Sequence, residues 1–132
     1  MADKKQDEYS EQARSALDKL RTQVDELRVQ ADLAGAEARD RLQAAIEQLR
    51  KAQGEAKLKL DDEQKAGGDA WKTVAKQAEG AVGDLGETFA KLADEVQAAV
   101  GAAGTAANKG KDAFLDEWKK SRDTRKKLLG SD

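Results

Sequence analysis

Along the first half of the chain the apolar side chains recur at alternating steps of four and three, as Ala13, Leu17, Leu20, Val24, Leu27, Ala31, Ala34 and Ala38. These steps keep one stripe turned toward a partner helix, as the a and d positions of a left-handed coiled coil do. Steps of four through Leu42 to Ile46, before Leu49, add a stutter that locally unwinds the supercoil. Beyond it the stripe continues more weakly through Gln53, Ala56 and Leu60. The second half keeps another rhythm: Val74, Leu85, Val96, Ala107 and Trp118 form one row, with Ala81, Leu92, Ala103 and Phe114 in a row beside it. Both rows repeat every eleven residues, which is three turns at about 3.67 residues per turn. Two long amphipathic helices follow from these patterns.

Gly67-Gly68-Asp69 is the strongest break between them. Glycine suits the position just past a helix end, and Asp69 is a good N-cap for a helix opening at Ala70 and Trp71. The expected architecture is all-α, a single domain made of one long antiparallel two-helix hairpin. Helix one spans about 7–66, the turn 67–69 and helix two about 70–128, each arm near 90 Å at about 1.5 Å per residue. Antiparallel geometry then pairs positions whose numbers add to about 135. The hairpin seam consists of Leu17, Leu20, Leu27, Leu42, Ile46 and Leu49 on one arm and Leu85, Phe89, Leu92, Val96 and Phe114 on the other. Leu49 should face Leu85, Ile46 should face Phe89, and Leu20 should face Phe114. Small residues around Ala31, Ala34, Gly35 and Ala38 oppose Val96, Ala99, Val100, Gly101 and Ala103, so a close approach of the backbones is expected at this waist.

Six glycines in helix two, Gly80, Gly83, Gly86, Gly101, Gly104 and Gly110, each cost roughly 0.5 to 1 kcal/mol relative to alanine. They are either tolerated on a helix held by its partner, or they interrupt it near Gly101 to Gly104, or the arm orders only on binding. Surface pairs with the acid four residues before the base, such as Glu37 and Arg41 or Glu47 and Lys51, support helix and say nothing about binding.

Composition changes the picture in one respect. With no Pro or Cys, 4% aromatic and 38% charged residues over 132 positions, the chain has too few large apolar groups for an ordinary round core, and a narrow seam is expected instead. The net charge of −2 supplies no global attraction to nucleic acid or acidic lipid. Locally, however, Lys119, Lys120, Arg122, Arg125, Lys126 and Lys127 meet a single acid, Asp123, and follow directly on Trp118. An aromatic beside clustered cations suits an anionic surface, although basic residues also simply oppose the dipole at a helix C-terminus. A charged start without an apolar core segment, and no stretch of about 18 apolar residues, point to a cytoplasmic protein.

Chemistry is sparse. No His is present to act as general base or transition-metal ligand, and no Cys to act as nucleophile. Asp61, Asp62 and Glu63 are consecutive, so their carboxylates diverge, and they read as a solvated helix end. No enzyme activity, cofactor or metal is expected. Trp71 is expected to cap the core beside the turn, and Phe89 and Phe114 to lie in it.

The segment Ala31-Asp32-Leu33-Ala34-Gly35-Ala36-Glu37-Ala38-Arg39, with Ile46-Glu47-Gln48-Leu49-Arg50 and Ala66-Gly67-Gly68-Asp69-Ala70-Trp71, resembles small bacterial coiled-coil proteins described as stress-response or apolipoprotein-like. The polar, eleven-residue rhythm also looks like late-embryogenesis-abundant proteins and, less closely, phasins. The resemblance implies a helical stress-linked protein without an assigned chemical activity. Three functions follow as expectations. The first is a scaffold, spacer or protectant that self-associates or meets a protein partner; here Val82, Leu33, Leu58, Leu115, Val29 and Ala45, flanking the seam, would be covered when two hairpins form a homodimeric four-helix bundle. The second is a reversible lipid-surface or granule coat. The third, least favoured, is weak nucleic-acid association through the basic C-terminal turn.

Overall fold

The computed structural model describes residues 4–68, 70–101 and 105–130, with side chains omitted for 105–110. It is all-α, with α1 over Lys4–Ala31, α2 over Ala36–Lys65, α3 over Ala70–Val100 and α4 over Thr105–Leu128. Each helix is about 36 to 47 Å long at 1.5 Å per residue. Each expected arm is therefore two helices, and the long hairpin is folded in half into an antiparallel four-helix bundle. The second arm divides after Val100, as one of the three readings of its glycines allows, and the division of the first arm between Ala31 and Ala36 corrects the reading of one helix over 7–66. Asp69 and the residues from Ala102 to Gly104, which carry the expected N-cap and part of the glycine break, lie outside the described residues.

Two of the helix pairings are those of the unfolded hairpin. Lys19 on α1 meets Glu117 on α4, and Leu49 and Leu85 line one groove between α2 and α3. Folding adds the others: Arg14 pairs with Asp61 across α1 and α2, Lys111 with Asp94 across α3 and α4, and Tyr9 reaches α3 at Ala75 and Glu79. The reason for folding in half is burial. A straight hairpin hides one stripe per arm, whereas the bundle buries Val82 fully and half-buries Leu115 and Ala45, so one chain provides the four-helix packing expected of two. Val29, Leu33 and Leu58 stay exposed.

The buried line of α3 also corrects the eleven-residue reading. Trp71, Ala75, Ala78, Val82, Leu85, Phe89, Leu92 and Val96 are buried at steps of four and three, while Val74 and Ala81 are only half-buried. This is a heptad seam, the pattern of a left-handed bundle. The expected seam residues Leu17, Leu20, Leu27, Leu42, Ile46, Leu49, Leu85, Phe89, Leu92, Val96 and Phe114 are all buried. Folding also adds an aromatic contact within the second arm, where Phe114 packs edge-on against Phe89 with ring centroids 5.2 Å apart. The expected tight waist is displaced. A Cβ built on Gly35 meets nothing within 4 Å, and the glycine that makes room for a neighbour is instead Gly86, on which the Trp118 indole rests. α3 passes through Gly80, Gly83 and Gly86 without a break.

Candidate functional site

The end of the bundle that holds the α2–α3 turn contains most of its buried polar groups. Gln6 on α1 donates from Nε2 to the carbonyl oxygens of Glu63 and Ala66 at 2.9 and 3.1 Å, so it caps the C-terminus of α2 from another helix. Gly68, at φ 60°, then turns the chain toward α3. One turn further along α1, Tyr9 Oη donates to the Ala75 carbonyl and to Glu79 Oε1, both at 3.2 Å, and Ser10 Oγ donates to Glu63 Oε2 at 2.7 Å. From α4, Arg125 closes a fork on Glu79, with Nε to Oε1 at 2.7 Å and Nη2 to Oε2 at 3.2 Å, while Nη1 donates to Ser121 Oγ at 2.6 Å. Its guanidinium carbon lies 5.5 Å from the centre of the Trp118 ring, which in turn sits 5.7 Å from Phe114. The network ties α1, α3 and α4 together through Glu79.

The electrostatics follow from burial. Burial, reinforced by the Glu79 carboxylate, pushes the Tyr9 phenol well above its usual range, so it acts as a fixed donor. Burial also raises the Glu63 carboxyl above the ordinary carboxylate range, against the opposing effect of the Ser10 hydrogen bond. Glu63 is fully buried and its Oε1 has no partner, which corrects the reading of 61–63 as a solvated helix end. Only Asp62 is exposed there, and Asp61 is held below the usual carboxylate range by its hydrogen bond from Arg14. Among the described residues no group of three or more acids forms a metal-binding set.

The Glu63 shift has a definite sign. A carboxyl whose pKa is higher folded than unfolded binds its proton more tightly in the native state. Its contribution to stability is therefore present below the unfolded pKa and lost as pH rises through the folded one. We expect Glu63→Gln to raise stability at neutral pH, where the buried carboxylate must be held charged, and to change it little in acid. Urea titrations at two pH values check this, and equal effects at both would refute it.

The fold divides the candidate anionic-surface contact between its interior and its surface. Trp118 is 6% exposed and Arg125 fully buried, because α4 lies on α3 and Glu79 takes the guanidinium. Lys119, Lys120, Lys126 and Lys127 remain exposed and Arg122 half-exposed. Sequence reading missed Gln6, Tyr9, Ser10 and Glu79. Tyr9 and Ser10 extend the three-and-four steps backward from Ala13, and this was the one signal available for them. A second feature is a groove of about 470 Å³ between α2 and α3, floored by Ala45, Leu49, Ala52, Ala81, Leu85 and Leu92. Alanines on facing helices leave it shallow, and Glu55, Lys59, Asp84 and Lys91 contribute to its mixed-charge rim.

A helical bundle whose polar interior is spent on tying helices together is the class these features define. Comparison with family models, with curated proteins and with solved structures found no match. Among the described residues no helix is long and apolar enough to cross a membrane.

Proposed function

We propose that the chain is a non-enzymatic structural or interaction protein that acts by associating with copies of itself, as a scaffold, spacer or stress protectant of the kind the resemblance suggests. One observation carries this reading. The buried line of each arm keeps its phase on either side of the division, through Leu27, Ala31, Ala34 and Leu42 in the first arm and Val96 and Phe114 in the second. Faces that close one chain upon itself thus also match the corresponding faces of a second chain. Light scattering over a concentration series is the test. A mass that climbs toward the dimer by the high micromolar range is expected, and a constant monomer mass would remove the reading.

A lipid-surface role is the second reading, favoured by the four exposed lysines that follow Trp118 on α4. Because Trp118 is buried, this role requires the bundle to open and turn its seam to the lipid. Vesicle flotation with and without anionic lipid separates the two, since the scaffold reading expects no flotation with either.

A further inference from the structure

Both divisions of the arms lie at the same end of the bundle, and at the first of them the backbone stays close to helical. After Ala31, the amides of Asp32, Leu33 and Ala34 donate three residues back, to Val29, Gln30 and Ala31, at 3.3, 3.0 and 3.1 Å. The chain thus continues as a tightened helical turn as far as Ala34. Gly35 is extended, with φ −62° and ψ 157° and no side-chain cap on the helix that follows. Its φ is already that of an α-helix, so joining α1 to α2 asks of this residue a rotation about ψ alone. Across this junction Gln43 Nε2, on a partly exposed side chain, donates to the Arg28 carbonyl at 3.3 Å and to Asp32 Oδ1 at 2.7 Å. In the second arm α3 ends at Val100, and Gly101 takes φ 71°, a left-handed conformation that an alanine would resist. A Cβ on either glycine meets nothing within 4 Å.

Phase makes straightening productive. Val24 and Leu42 are as far apart in sequence as Val96 and Phe114, and both spacings equal about five turns of 3.6 residues. A continuous helix would therefore hold each pair on one face. The contacts divide in the same way. Those between α1 and α4, such as Lys19 with Glu117, and those between α2 and α3 would survive within a straightened chain. Those between α1 and α2, between α3 and α4, and from Tyr9 to Glu79 would be broken, and a second straightened copy lying alongside would restore them.

We propose that two copies of this chain associate by exchanging halves: each straightens at Gly35 and Gly101 into a long hairpin, and the pair rebuilds the same four-helix core over twice the length. This rests on the self-association reading and specifies its mode. Charge does not oppose it, because the ion pairs re-formed between copies are those that already exist within one.

The test uses the full chain, which has no native cysteine, with spin labels at Glu11→Cys and Asp62→Cys. Both positions are exposed, and in the folded chain they flank the Ser10–Glu63 hydrogen bond. Wild-type background and the variant Gly35→Ala with Gly101→Ala are compared, each label pair diluted into excess unlabelled protein and equilibrated at high micromolar concentration. In an exchanged dimer the two labels of one chain are about 75 Å apart along a straight helix at 1.5 Å per residue. We expect the short label distance to disappear from the dimer fraction, and the variant to dimerise at a concentration at least about tenfold lower, since alanine favours the continuous helix at both sites. A dimer that keeps the short distance would show closed bundles associating; it would overturn the exchange and leave self-association standing. A wild-type chain that remains monomeric throughout would overturn both. The wild-type measurement decides the matter even if the variant fails to fold.

Discussion

Replacing Arg125 with alanine should lower the unfolding free energy by about 3 to 5 kcal/mol, the range found when one partner of a buried ion pair is removed. The guanidinium is fully buried, and its fork on Glu79 is one end of a chain of contacts that passes through Tyr9 to α1. Removing it leaves the Glu79 carboxylate, whose side chain is only 11% exposed, facing the Tyr9 hydroxyl alone within the network. It also removes the cation from the Trp118 ring and the partner of Ser121. The double variant Arg125→Met with Glu79→Leu should recover most of the loss, because two apolar side chains of similar volume carry no desolvation cost. Chemical denaturation of the parent, the single variant and the double variant measures the loss and its recovery. A single variant within 1 kcal/mol of the parent would mean that water reaches the pair in solution.

Gly86→Ala is expected to cost about as much as a severe overpacking change, in the upper part of the usual range of about 1 to 3 kcal/mol or beyond it. The added methyl would lie 2.1 Å from Trp118 Nε1 and 2.7 Å from Cδ1 of the same ring. That ring cannot swing away freely, since Phe114 and the Arg125 guanidinium flank it and it is almost wholly buried. Helix propensity works the other way, favouring alanine by no more than about 1 kcal/mol, so packing decides the sign. A thermal melt and the Trp118 fluorescence would check it. Gly80→Ala makes the control, because a methyl there meets nothing within 4 Å and only the propensity gain remains. Equal melting temperatures for the two variants would contradict the packing seen at Gly86.

The seam was legible in the sequence because it depends on local periodicity. The spacing from Ala13 to Leu60 in the first arm places most core residues correctly, since a three-and-four repeat has one natural home on a helix. In the second arm the glycines and alanines between Lys76 and Gly86 blur the phase, so that the row through Val74 and Ala81 stands out as strongly as the buried line through Ala75, Ala78 and Val82. The break at Gly35 was illegible for a different reason. No proline or left-handed residue marks it, and what bends the first arm is the burial gained by folding, a property of the whole chain. The polar network was hidden for the same cause. Glu63 and Arg125 look like solvated charges until the fold brings Ser10 to the first and Glu79 to the second. Partners so far apart in sequence leave no local signature.

The distribution of side-chain size along the bundle axis has a mechanical consequence. Tyr9, Trp71, Arg125 and Glu79 gather toward the end where α2 turns into α3, whereas Ala31 and Ala34 line the opposite end, beside the exposed Val29 and Leu33. Cohesion therefore declines from one pole of the molecule to the other. Thermal fluctuations will part the helices from the alanine pole first, while the aromatic pole holds the four strands of the rope in register until the last.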